Sequence, residues 1–204
     1  SLVYSTFLGG SCDAEGKSIA VDSDGTPSVI GDVSPYPDLY ITDNAVQDNG
    51  ASYGHAFVMQ LNDTGSDVLY STYFSGNYGS AGVGIAVDAV GDLYITGGTT
   101  TGDGFPLLNG YSHGHAGLSD VFVAKLDPSL IGAAELIYSG FIGGGGTERG
   151  TGIAVDAYGQ AYVVGYVNST GLATGDGYDQ TQNSQDGYLG IISSDGSSKL
   201  YGTY

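Results

Sequence analysis

Basic side chains are nearly missing from this chain. Its 204 residues include 22 acidic ones against 4 basic ones, Lys17, Lys125, Arg149 and Lys199, for a formal net charge of -18. A surface of that sign repels phosphate backbones and anionic headgroups, which argues against nucleic acid as a partner and against direct membrane insertion. So few cations leave most carboxylates facing water or metal ions, and both life at high salt and life outside the cell fit that balance. Cys12 is the only cysteine, so no disulfide forms within one chain. Tryptophan is absent. No apolar run approaches the roughly 20 residues that a membrane-spanning helix needs. Ser1 opens directly into a strand-like run without a basic and then apolar leader, so any signal peptide is expected to be gone already.

What the chain has in quantity is glycine, 37 residues, set at fixed offsets from short apolar runs. Gly84-Ile85-Ala86-Val87-Asp88-Ala89-Val90-Gly91-Asp92-Leu93-Tyr94-Ile95-Thr96-Gly97 is the clearest instance. Ser18 to Gly25 and Gly152 to Gly165 carry nearly the same words. Each reads as an apolar run, an Asp-x-x-Gly turn and a second apolar run, the pattern of a tight β-hairpin in which Asp caps turn amides and Gly takes a positive φ. The first runs, Ile19 to Asp22, Ile85 to Asp88 and Ile153 to Asp156, are expected to be innermost strands, with Ala20, Ala86 and Ala154 relieving crowding while the flanking Ile and Val pack between sheets.

A tyrosine-bearing strand recurs as Leu2-Val3-Tyr4-Ser5-Thr6-Phe7-Leu8, Val68 to Phe74, Leu136 to Ile142 and Leu200 to Tyr204. Its period is roughly 65 residues, against roughly 40 to 50 for familiar propeller repeats, so the excess lies in a loop. A third run precedes it: Ala56 to Leu61, Val121 to Leu126 and Tyr188 to Ile192. Long segments between the second and third runs, about Asp32 to His55, Thr99 to Asp120 and Tyr166 to Asp186, are rich in Gly, Asp, Asn and Tyr. The expectation is all-β: three four-stranded antiparallel repeats plus one orphan outer strand, arranged as β-propeller blades, open or completed by other chain segments or subunits. The boundaries are 1–10 for the orphan strand, 11–76, 77–144 and 145–204 for the three blades of a single 1–204 domain.

The words Leu-Val-Tyr-Ser-Thr-Phe-Leu-Gly-Gly, Gly-Ile-Ala-Val-Asp, Leu-Tyr-Ile-Thr-Gly, Phe-Pro and Val-Phe-Val-Ala-Lys-Leu-Asp resemble the SBBP family of bacterial and archaeal β-propeller repeats, in order and over nearly the whole chain. The resemblance implies a secreted or cell-surface protein and no catalytic residues, since the family motifs are structural. Three departures stand out: Thr26-Pro27-Ser28-Val29-Ile30 replaces the usual aromatic second strand in the first repeat, His55 stands where Asp120 and Asp186 stand in the other repeats, and Leu172-Ala173 replaces the Phe-Pro pair in the third.

Three complete sets and one spare strand do not close a propeller, which needs four to eight blades. Leu2, Tyr4, Phe7, Leu8, Tyr201 and Tyr204 therefore mark an assembly edge, to be paired by other copies or by the rest of a longer propeller. The loop tyrosines are Tyr36, Tyr53, Tyr78, Tyr111, Tyr166 and Tyr178. Of these Tyr36, Tyr53, Tyr111 and Tyr178 are candidates for stacking on glycans. Asp22 with Asp24 and Asp88 with Asp92 are candidate Ca²⁺ ligands, as is Asp176 with Asp179, although turn capping explains each of them. No other cofactor is indicated. His113-Gly114-His115 lacks a third metal ligand at fixed spacing and reads as polar loop, Glu148 with Arg149 reads as a surface pair, and no nucleophile motif is present. The leading expectation is a non-enzymatic extracellular structural or adhesive module. A carbohydrate or cell-wall-polymer binding module comes second, and a polysaccharide-active propeller enzyme third.

Overall fold

The computed structural model describes residues 3–35, 38–49, 53–112, 114–130 and 132–204. Among the described residues twelve strands form three four-stranded sheets, each a meander in chain order with every neighbour antiparallel. The first sheet holds β1 (Ala14–Val21), β2 (Pro27–Val33), β3 (His55–Leu61) and β4 (Val68–Phe74). The second holds β5 (Ser80–Val87), β6 (Leu93–Thr99), β7 (Asp120–Leu126) and β8 (Leu136–Ile142), with a short 3-10 turn at Gly132–Glu135 before β8. The third holds β9 (Arg149–Val155), β10 (Ala161–Val167), β11 (Asp186–Ile192) and β12 (Lys199–Thr203). The first strand of each sheet starts several residues before the Ile-Ala-Val word, and Tyr166, expected in a loop, is a residue of β10. Among the described residues no helix is long and apolar enough to cross a membrane.

The sheets stack face to face, because their strands are apolar on both sides. Ile30, Val58, Tyr70 and Phe74 of the first sheet meet Ile85, Leu93, Ile95 and Phe122 of the second. On its other side the second sheet presents Tyr94, Val121, Val123 and Tyr138 to Ala161, Val163 and Ile192 of the third. A third cluster, Val33, Leu39, Phe57, Met59, Leu61 and Tyr73, lies on the far face of the first sheet, with Leu8 and Ile41 packed on it.

Each long loop leaves the second strand of its sheet and comes back along the outer edge of the fourth. Thr42 N donates to Ser71 O and Tyr73 N to Gln47 O in the first sheet. Leu108 and Ser139 exchange both backbone bonds in the second, and Phe141 N donates to Ser112 O. Thr174 N donates to Gly202 O and Tyr204 N to Asp179 O in the third. Each loop also tucks one apolar side chain under itself, Leu39, Phe105 or Leu172, and all three are buried. The missing Phe-Pro pair of the third repeat therefore leaves no gap, since Leu172 fills the place of Phe105.

Two expectations rest on a neighbour that the described residues do not supply. Leu2 lies outside the described residues, and Val3 to Gly10 form no strand: a ladder needs a partner, and none of the three sheets offers a free outer edge. The segment lies instead on the far face of the first sheet, with Tyr4 against Gly65 and Leu8 in the cluster around Phe57, while Val3 and Phe7 stand in solvent. Ile19 and Val21 are exposed as well, although the corresponding Ile85 is buried. Ile85 has the first sheet beneath it, whereas Ile19 has no sheet on that side.

Candidate functional site

The turn carboxylates are committed to their own backbone. Asp22 Oδ1 accepts from Asp24 N at 2.9 Å and Thr26 N at 2.8 Å. Asp88 Oδ1 accepts from Val90 N and Asp92 N at 3.0 Å each, and Asp156 Oδ1 from Tyr158 N and Gln160 N. Gly25, Gly91 and Gly159 supply the positive φ that closes each turn. Asp176 and Asp179 likewise accept from Thr174 Oγ1 and Thr181 N.

The second sheet adds a cation of its own. Lys125 Nζ sits 3.6 Å from Asp88 Oδ2, 2.8 Å from Asp92 Oδ2 and 5.0 Å from the centre of the Tyr94 ring. Burial pulls the ammonium down, but hydrogen bonding to Asp92 and Tyr94 outweighs it and holds the lysine pKa above its ordinary value. Burial raises Asp92 against the same lysine. The pair expected to hold Ca²⁺ thus surrounds an ammonium group. Among the described residues no group of three or more His, Cys, Asp or Glu is placed to hold a metal ion.

The candidate tyrosines do not converge. Tyr36 and His113 lie outside the described residues. Tyr178 is almost fully exposed, and Tyr111 lies under Lys199, whose Nζ is 5.4 Å from its ring centre. Of the edge residues, Tyr201 accepts from Tyr178 N, and Tyr204 accepts from Leu172 N and donates to Ser169 O, so both are tied to the loop that covers their strand.

Tyr53 is different. It lines a cleft of about 460 Å³ at the end of the sheets opposite the Asp turns, together with Tyr78, Thr100, Ser119, Thr147, Arg149 and Tyr166. The chain brings these together because β3, β5, β7 and β9 all begin at this end and β6 and β10 finish there. The Tyr53 and Tyr78 rings are 5.8 Å apart and tilted by 50°, and both are about half exposed. Arg149 opens β9 directly opposite Tyr166. Its stem crosses to the second sheet at Gly98, where a Cβ would stand 3.4 Å from Arg149 Cγ.

Glu148, next to it, is no partner for that arginine. It is fully buried and accepts from Gly144 N at 2.9 Å, Asn168 N at 3.3 Å and Ser169 Oγ at 2.8 Å. Asp120, equally buried, accepts from Ala116 N at 2.9 Å through Oδ2, while its Oδ1 has no donor among the described residues. Burial pushes Asp120 up to about 6; the Ala116 amide and His115 oppose the shift and Glu148 adds to it. The bonds of the two carboxyls tie Ala116, Gly144, Asn168 and Ser169 into one wall behind the cleft. His115 itself packs edge-on against Phe141, with Nε2 3.2 Å from Thr99 O.

The cleft therefore offers aromatic faces, several hydroxyls and one guanidinium. Tyr78 and Tyr166 could be named from sequence only as members of a larger tyrosine set. Arg149 carried a single signal, that it is the one arginine in an acidic chain. No family model matches this chain, and no curated protein does either.

Proposed function

We propose that the chain is a non-enzymatic structural and adhesive module of the β-propeller type, similar to SBBP repeats, acting outside the cell or at its surface. In this reading its sheets are blades, and further blades of the same kind continue the stack. They come from other copies of the chain or from the rest of a longer propeller.

The observation that carries the reading is that equivalent residues are covered where a neighbouring sheet exists, fully at Ile85 and partly at Ile153, and bare where it does not. Ile19 is 61% exposed and Ile85 6%. At the other end of the stack Val164 is 45% exposed, whereas its equivalents Ile30 and Thr96 are fully buried. Each apolar side chain so covered contributes roughly 1.5 to 3 kcal/mol. The N-terminal segment supports the same reading. Tyr4 lies over the turn glycine Gly65 as Tyr138 of the second sheet lies over Gly196 of the third. In this reading residues 3–10 take the place of the outer strand of a preceding blade, whose other three strands are supplied from elsewhere.

A head-to-tail contact of this kind joins two different faces, so it is testable with two substitutions. Sedimentation of the native chain should show association that rises with concentration. Ile19→Lys and Val164→Lys should each abolish it, and mixing the two variants should restore pairs and nothing larger. Association that survives both substitutions would sink the reading. A native chain that stays single at all concentrations would eliminate completion by copies.

A further inference from the structure

We propose that the cleft beneath Tyr53, Tyr78 and Tyr166 is a binding site for an acidic saccharide, with Arg149 receiving the carboxylate of a uronic acid unit. The inference concerns a different surface from the one that continues the stack, and it holds whichever way the stack is completed.

The starting point is the fate of the four basic side chains. Lys17 pairs with Glu15 at 2.6 Å, and Lys125 with Asp88 and Asp92. Lys199 donates to Leu172 O and covers the Tyr111 ring. Among the described residues Arg149 alone has no ion pair, no side-chain hydrogen bond and no ring beneath it, in a chain of net charge -18. Its charge is felt only at a distance, where it and Lys17 help to restrain the carboxyl of Asp32 that burial raises. The carboxylate next to it in sequence, Glu148, also lines the cleft but is buried and occupied by Gly144, Asn168 and Ser169. A guanidinium presents a planar fork of donors that matches a carboxylate in two parallel bonds, and here that fork is left open in a cleft.

The rest of the lining suits a sugar. Tyr53 and Tyr78 are 51% and 59% exposed, so their faces are available, and the C–H face of a pyranose packs on such rings. Thr100, Ser119 and Thr147 place hydroxyls around them, suited to ring hydroxyls, and the cleft volume of about 460 Å³ holds two to three sugar units by size. A neutral glycan would use the rings and hydroxyls and leave the arginine idle. A uronate unit uses both parts of the lining.

The test is calorimetric titration of the whole chain with a trigalacturonate and with its fully methyl-esterified form, which keeps the rings and removes the charge. The acid should bind, and the ester should bind about tenfold more weakly or worse, the cost of losing a charge-assisted bidentate contact. Arg149→Gln should bring the acid down to the level of the ester, Arg149→Lys should fall between, and Tyr78→Ala should weaken both ligands alike. Circular dichroism of each variant checks that the sheets are intact. Equal binding of acid and ester, an Arg149→Gln variant with native affinity for the acid, or no binding of the acid by the native chain would each overturn the proposal.

Discussion

Glu135 closes the short turn before β8 with no exposed surface, and its Oε1 accepts from Tyr70 Oη at 3.2 Å. Burial pushes its carboxyl up to about 8, against the pull of that hydrogen bond. Asp120, raised to about 6 beside Glu148, shifts in the same direction. A folded pKa above the unfolded one means that the native state holds its proton more tightly. The associated stability is therefore complete below the ordinary carboxylate range and is lost as pH rises, through about 6 for Asp120 and about 8 for Glu135. Urea unfolding should thus show a chain that is more stable in mild acid than at pH 9, contrary to the usual behaviour of a protein whose carboxylates are paired. Glu135→Gln keeps an acceptor for Tyr70 and removes the titration. It should be within about 1 kcal/mol of the native chain near pH 5 and several kcal/mol more stable at pH 9. Native and variant curves that run parallel across that range would show that Glu135 is not the group responsible.

At the scale of the elements, the turn glycines divide into two kinds. Gly91 has φ +98° and open space for 4 Å around the point where a Cβ would stand, so alanine there meets only backbone strain, about 1 to 2 kcal/mol. Gly196 has φ +76° and lies against Tyr138 of the preceding sheet, where a Cβ would come within 2.5 Å of the tyrosine Cβ. Gly196→Ala should therefore destabilise the chain clearly more than Gly91→Ala, as read by chemical denaturation, because it also forces two sheets apart. Equal losses would mean that the tyrosine moves aside freely. The hairpins were legible in the sequence, since the Asp-x-x-Gly turn and the apolar alternation are local signals, and the register follows from them. The extra strand was not, because Val3 to Leu8 carries the same pattern as Val68 to Phe74 and strand formation depends on a partner edge that local residues do not encode. Nor was the cleft: Tyr53, Tyr78 and the Arg149–Tyr166 pair come from three different repeats and share no spacing. Lys125 hid in the same way, because the residues in its place are Gln60 and Ile191, and only the fold shows which carboxylates it reaches.

For the whole molecule, a net charge of -18 with ion pairs at only two lysines among the described residues leaves most acidic groups repelling one another. Raising sodium chloride from about 0.1 M to about 1 M shortens the screening length from about 10 Å to about 3 Å, and the thermal midpoint should rise accordingly. A midpoint that falls with salt would show that the Lys125 pairs outweigh the general repulsion.

The sealing of every outer strand by its own loop has a consequence for how such a chain can change over generations. A sheet whose rim is closed from within can be duplicated or deleted as a unit, and neither event bares a row of unpaired amides that would seed an amyloid-like ladder. What an added or lost repeat exposes is always the same broad face, and the next repeat is already shaped to cover it. Copy number is therefore open to variation by recombination at little risk of aggregation, and the length of the array becomes a quantity that selection can adjust separately from the fold of each member.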